Sequence, residues 1–405
     1  MTPRTTPPGT TPPGTTAYLD HAATSPLRPE VAEAMAPFAA GRFGNPSGSH
    51  HVARDARRAL EEARERVAEA LGAAPGEIVF TSGGTEAANL AVLGTLAARQ
   101  EAGLAAGAVV CSAVEHAAVL EPCRAAARAT ARLVGVAPVE VRVAPVDSQG
   151  TVDLAALEGL LHDDVGLVSV MLANNEVGTI QPIGEVVDAV ARRAPGAAVH
   201  TDAVQAAAYL NVAELARGVD LVSVSGHKLG GPKGVGALVV RERVGVDPLL
   251  HGGGQERGRR SGTQDVAGAV GLAAALAAVA ASRRAESARV GALRERLAAA
   301  LVVAVPGTVR SVDPERSLPG HCHVRFEGVE QEELLVLLDE RGVCASAGSA
   351  CASGALEPSH VLAAMGVPAG EARGAVRFTL GHTTGPADVD RAVCAAADAV
   401  ALLRA

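Results

Sequence analysis

The sequence predicts a mostly parallel α/β sheet covered on both faces, followed by a smaller lobe of mixed helix and strand. Two observations carry that expectation. From Glu77 onward, short apolar runs rich in β-branched residues alternate with helical stretches. Past Arg260-Ser261-Gly262-Thr263 that rhythm gives way to a long Ala-rich helical region and then to shorter elements. A third observation locates a site. The apolar run from Val219 to Val224 closes in Ser225-Gly226-His227-Lys228, which puts one amine at the carboxyl end of a strand, where open α/β sheets build their sites.

In chain order, residues 1–16 are almost all Thr, Pro and Gly and lack the apolar core of a signal peptide, so they read as a disordered tail. Tyr18 to Pro26 is a short extended piece ending in a turn. Gly44 to His50 is a loop, and a charged helix runs from about Ala53 to Leu71, its Arg and Glu residues forming a solvated face. Strand Ile78–Phe80 leads through a Gly-rich turn to a helix from Thr85. Strands near Val109, Val139–Val143, Val165–Leu172 and Ala198–His200 follow, with helices between them, one starting at His116. In the second part Ala267 to Val303 is helical, His321–Phe326 and Val376–Leu380 are strands, and Glu332–Arg341 and Pro386–Leu403 are helices. No internal repeat is evident.

Composition narrows the function. The 405 residues leave room for two domains or one large unit with a lobe. Aromatics are only 2%, so Ala, Val and Leu must pack the core. A net charge of −8 and no basic run argue against a nucleic-acid surface. The stretch from Val266 to Ala281 is too short and too rich in Ala and Gly for a membrane span, and reads as a buried helix. Six cysteines in so long a chain do not form a disulfide framework, which points to a reducing cytoplasm. Cysteines 111, 123, 322, 344 and 394 sit beside apolar patterns and read as buried. Cys351 differs: it lies in a run of small residues, Ala345 to Gly354, accessible and suited to nucleophilic attack.

Other segments offer chemistry, each against a plainer reading. Thr81-Ser82-Gly83-Gly84-Thr85-Glu86 joins a strand to a helix, making a phosphate cup or an ordinary capped helix. Asp202 ends another strand and either holds a protonated pyridine nitrogen or caps a helix. His116 suits stacking on that ring and moving protons, or merely opens a helix. Asn174-Asn175-Glu176 reads as a substrate contact or as turn chemistry. Arg377, inside an apolar run, either takes a partner, a substrate carboxylate or a structural ion pair, or holds an exposed edge position. In His321-Cys322-His323 the cysteine faces away from both histidines on a strand, so no zinc site is read there. A phosphate cup, an acid and an amine on three strand ends are what pyridoxal phosphate requires, with Lys228 suited to a Schiff base.

In order along the chain, Tyr18–Thr24, Gly44–His50, Phe80–Glu86, Glu115-His116, Asn174–Gly178, His200–Gln205, Ser225–Lys228, Gly252–Thr263, Gly348–Cys351 and Arg377–Gly381 together resemble the cysteine desulfurases. These are pyridoxal-phosphate enzymes of aminotransferase class V. The short loop around Cys351 is similar to that of the subgroup serving iron–sulfur assembly and tRNA thiolation. The resemblance implies fold type I: a large domain, 29–263, with a mostly parallel seven-stranded sheet, and a smaller α+β domain, 264–405, carrying the Cys351 loop, with 17–28 packed on the smaller one. It implies that Lys228 is the cofactor lysine, Asp202 the pyridinium partner and Gln205 a bond to the ring oxygen. It also implies that His116 stacks on the ring and that Gly84, Thr85, Ser225 and His227 hold the phosphate. Thr263 would reach the neighbouring subunit's phosphate in a homodimer, Asn175 and Arg377 would bind the substrate carboxylate, and Cys351 would carry a persulfide. Sulfur would pass from L-cysteine to an acceptor protein, and L-alanine would leave. His21 stands where the family usually has Asn, and Leu229-Gly230-Gly231 replaces a usual Ile-Tyr-Gly. The rival readings are a selenocysteine lyase, another class V enzyme such as an aminotransferase, and an idle sulfur-carrier scaffold.

Overall fold

A computed structural model describes residues 16–128, 136–348 and 359–405. Its strands are β1 Ala17–Tyr18, β2 Ile78–Thr81, β3 Ala108–Ser112, β4 Glu140–Ala144, β5 Val165–Ser169, β6 Ala198–Asp202, β7 Leu221–Ser225, β8 Gly236–Val240, β9 Thr308–Arg310, β10 His321–Phe326, β11 Val343–Cys344 and β12 Ala375–Thr379. Seven of them form the large sheet, in the order β2-β8-β7-β6-β5-β3-β4. All its pairings are parallel except those of β8, which runs against both β7 and β2. The expected seven-stranded, mostly parallel sheet is therefore present.

Every residue of β3, β5, β6, β7 and β8 is buried, as a sheet layered by helices on both faces requires. The pairing directions give β2, β3, β5, β6 and β7 the same sense, so their carboxyl ends line one edge of the sheet. All the strand-end motifs noted above therefore gather there.

The helix His51–Leu71 stops at Gly72, whose left-handed φ of 64° lets its N–H bond back to Ala68 and Glu69. The Ala-rich helix Val266–Ala304 begins at Asp265, which accepts from the Gly268 N–H. Its small residues permit close packing: a Cβ at Gly271 would lie 2.6 Å from Met35 Sδ. By length and composition this helix could cross a membrane, but its first half packs into the large core through Leu272, Leu276 and Val279. Its second half enters a different core through Val290, Leu297 and Leu301, with Phe326, Phe378 and Val389. The composition shift near residue 264 thus marks the start of a helix, whereas the change of core falls inside it. Around the second core lie the antiparallel sheet β12-β10-β9 and the parallel pair β1–β11.

Several elements and burials differ from expectation. The helix Pro29–Ala39 and the returning strand β8 had no sequence signal of their own. Cys111, Cys123 and Cys322 are buried, but Cys344 is half-buried and Cys394 is exposed. On the helix Pro386–Leu403 the inward positions are Val389, Ala392, Ala395, Ala396 and Ala399. At about 100° per residue, Cys394 turns away from them.

Candidate active site

β7 ends in a tight turn, Gly226–Lys228, before the chain doubles back as β8. The turn is closed by the Leu229 N–H on Gly226 O, and it aims Lys228 across the sheet edge. Lys228 Nζ donates to the carbonyls of Ala22 and Ala23, the latter at 2.7 Å, and Gln205 Nε2 donates to Ala22 O at 2.7 Å. The N-terminal segment is strapped over the lysine by Ser25 N–H on His227 O and Arg28 N–H on Gly230 O, both 2.9 Å. His21 braces the strap, with Nδ1 3.0 Å from Ser25 Oγ and Nε2 3.2 Å from Thr383 Oγ1. The departure at position 21 is thus a packed, hydrogen-bonded residue.

Beside the lysine opens a cleft lined by Thr24, Gly83, Gly84, Thr85, Ser225 and His227. Its floor depends on Gly236, where a Cβ would meet Val224 O at 2.6 Å and Gly83 C at 2.7 Å. The Ser82 N–H is already taken by Glu86 Oε2 at 2.6 Å. Burial, then the charges of Lys228 and Lys233, hold the His227 imidazole down to about 4, so at neutral pH it faces the cleft uncharged.

Asp202 ends β6, buried, with Oδ1 accepting from Val204 N at 2.8 Å. Burial pushes its carboxyl up, and the Val204 N–H and the charges of His116 and Lys228 oppose that push. The three groups therefore share one electrostatic neighbourhood. His116 caps the helix Ala117–Ala126, its Nδ1 accepting from Ala118 N at 3.0 Å. With Nδ1 held as an acceptor, the proton of the uncharged tautomer sits on Nε2.

Asn174 is turn chemistry: its Oδ1 accepts from the Glu176 and Val177 N–H groups, and its Nδ2 donates to Val114 O. Asn175 is half-buried. Arg377 is 3% exposed and donates from Nη2 to Asp20 Oδ1 at 2.8 Å and from Nη1 to Asn175 O at 2.9 Å. The structural ion pair is thus real, and Asn175 and Arg377 are brought together. Asp20, 357 residues away along the chain, carried no sequence signal.

Thr263 is exposed and does not line the cleft. Its loop is tied to the chain's own sheet by a pair that the sequence reading missed. Arg64, taken for part of a solvated face, is buried and grips Glu256 bidentately at 2.7 and 2.9 Å. The same carboxylate accepts from Phe80 N at 3.0 Å. Glu256 and Arg257 adopt left-handed φ values of 49° and 58°, a strain that such anchoring sustains. Glu256→Ala would remove the buried, bidentate partner of Arg64 and leave its buried charge to the largely exposed Glu61 carboxylate, 3.2 Å from Nε. It should lower the free energy of unfolding by about 3–5 kcal/mol, measured by urea titration.

Cys351 lies outside the described residues. On the near side of that segment, Gly348 N donates to Ser346 Oγ at 3.3 Å, and a bridge from Ser346 to Arg377 ties this stretch to β12.

Comparison with known proteins fits this arrangement. The model of the aminotransferase class-V family matches residues 17–392. The chain belongs to the class-V aminotransferase family. It is 46% identical to the IscS-like cysteine desulfurase of Mycobacterium tuberculosis over 96% of this chain and 97% of that one. It is 44% identical to the cysteine desulfurase IscS of Dictyoglomus turgidum, over 92% and 91% respectively. Among solved structures, a NifS-like protein superposes with a TM-score of 0.86 at 36% identity, covering 96% of this chain and all of that one.

The family's cofactor is pyridoxal 5′-phosphate, and the residues here fit it. A buried carboxylate pushed up by desolvation gains from a cationic ring nitrogen. The glycine-floored cleft begins the helical run from Gly84 and suits a phosphate. Lys228 stands between the two.

Proposed function

We propose that this chain is a cysteine desulfurase, converting L-cysteine to L-alanine and placing the sulfur on Cys351 as a persulfide. The observation that carries the reading is the convergence of Lys228, Asp202 and His116 on one sheet edge beside the cleft. The relatives named above, cysteine desulfurases matched over nearly their whole length, support it.

Pyridoxal phosphate, when bound, supplies the electron sink that makes the substrate Cα proton acidic. Asp202 would hold the ring N–H and Gln205 would bond the ring oxygen. Gly84, Thr85, Ser225 and His227 would hold the phosphate, joined by Thr263 from the neighbouring subunit of a homodimer. Lys228 Nζ would hold the cofactor and would take the Cα proton. Arg377 and Asn175 orient the α-carboxylate. His116 would stack on the ring and would manage the proton of the substrate thiol. Across the cycle the substrate C–S bond breaks, an S–S bond to Cys351 forms and L-alanine leaves. The persulfide then serves an acceptor protein, for iron–sulfur assembly or thiolation. The cytoplasm suits such a thiol-dependent step.

With L-cysteine and no acceptor, the protein should form L-alanine and protein-bound sulfane sulfur in equal amounts. Cys351→Ala should retain the cofactor's visible absorbance but form no bound sulfane sulfur and release no sulfide. A Cys351→Ala protein that turns over cysteine at full rate would overturn the reading.

A further inference from the structure

The triplet His321-Cys322-His323 has no task in the reading above. Side chains alternate along β10. Cys322 enters the small core with Phe378, and the two histidines share the opposite face. His323 is the direct cross-strand partner of Arg377, and His321 is the partner of Thr379. Such partners stand about 5 Å apart at Cβ and share a sheet face.

His321, His323 and Arg377 are 3%, 4% and 3% exposed. Among the described residues, His321 Nδ1, His321 Nε2, His323 Nε2 and Arg377 Nε make no hydrogen bond of ordinary geometry, His321 having only a loose contact with the Asn175 backbone. Buried polar atoms are nearly always paired, so four unpaired nitrogens on one face mark a place where polar groups face one another for a reason other than packing. A small cavity touching Ser317, His321 and His323, and reaching Arg294 and Arg310, lies against the two histidines. The His323 ring is fixed by Nδ1 at 2.7 Å from Ser311 Oγ. His321 is backed by Gly178, where a Cβ would fall 2.6 Å from its own. Gly178 closes the turn that presents Asn175 O to Arg377.

The geometry points to His321 and His323 as positioning residues for Arg377, confining a guanidinium whose other edge is held by Asp20 and Asn175, so that its fork meets the substrate α-carboxylate in one orientation. This rests on the reading of Arg377 as the carboxylate site. Burial, and after it the Arg377 cation, brings both imidazoles down to about 3. At neutral pH they are therefore uncharged and do not repel the guanidinium.

The test uses the cofactor-loaded protein titrated by absorbance with L-alanine, which carries the carboxylate, and with L-alaninamide, which lacks it. His323→Leu should weaken L-alanine about tenfold and raise KM for L-cysteine by a similar factor, with kcat within about twofold. L-alaninamide should be unaffected, and His323→Asn should recover most of the loss. His321→Leu gives an independent reading if His323→Leu does not fold. Arg377→Ala separates the two levels of the argument. If it leaves L-alanine binding unchanged, the carboxylate reading itself fails. If it weakens binding while neither Leu variant does, or if both Leu variants weaken L-alanine and L-alaninamide equally, only the positioning role is overturned.

Discussion

Lys228→Ala will lower alanine formation from L-cysteine by about 10³-fold or more and leave the chain without a covalently held cofactor. A positioned general base alone is worth about 10²–10⁴ in rate, and Lys228 is proposed to serve both as that base and as the cofactor's attachment point. The sequence allows a sharp test, because it contains two lysines, Lys228 and Lys233. Lys233 is exposed at the rim of the phosphate cleft, five positions on but past the turn that aims Lys228 at Asp202. Borohydride reduction of the wild-type holoenzyme followed by digestion and mass measurement should place the cofactor on Lys228. A Lys228→Ala protein keeping a tenth of its activity, or an adduct found on Lys233, would dismiss the assignment.

How far the site could be read from the sequence depends on how local its causes are. Lys228, Asp202 and His116 were legible because each follows a compact apolar run, and parallel strands deliver their carboxyl ends to one edge whatever their order. What was missed depends on distant partners or on helix phase. β8 follows Gly230, Gly231 and Gly234 so closely that the run from Val235 to Val240 reads as the tail of a turn, and nothing local says that it returns antiparallel. The helix Pro29–Ala39 opens on one proline and contains Pro37, which blurs its period. Arg64 lies on a helix where alanines fill much of the inward face, and alanine barely distinguishes inside from outside. Only Glu256, 192 residues away, tells which way that arginine points. The same holds for Arg377, whose ion pair with Asp20 joins the two ends of the chain. Cys394 was misplaced for a related reason, a thiol among alanines on a helix with no strong apolar stripe.

Acidification from pH 7.5 to pH 5 will cost this protein several kcal/mol of stability, enough to bring an ordinary domain close to unfolding. His21, His200, His321 and His323 are each brought down to about 3, burial being the largest cause in every case. A histidine held neutral in the native state costs nothing above its unfolded value near 6.5. Below that value the unfolded chain takes up a proton that the native state refuses, and stability falls steadily until the pH reaches the native value. At pH 5 each such group therefore costs about 2 kcal/mol, set almost entirely by the unfolded value, and four together cost about 8 kcal/mol. Glu115 works in the opposite sense. Burial, then the neighbouring Asp202 charge, raises its carboxyl well above the usual range. It is thus a neutral acid whose penalty at neutral pH is relieved as the unfolded carboxylate protonates, which offsets part of the histidine loss. The remainder should appear as a steep fall in the urea midpoint of the holoenzyme between pH 6.5 and 5. His200 offers the cleanest check, because its ring is buried between two serines, with Ser169 Oγ at 2.8 Å and Ser223 Oγ at 3.2 Å, and has no role in the proposed site. His200→Asn should flatten the pH slope by close to one proton. A wild-type urea midpoint that stays level down to pH 5, or a His200→Asn slope equal to the wild type's, would mean that these imidazoles are not held neutral by burial.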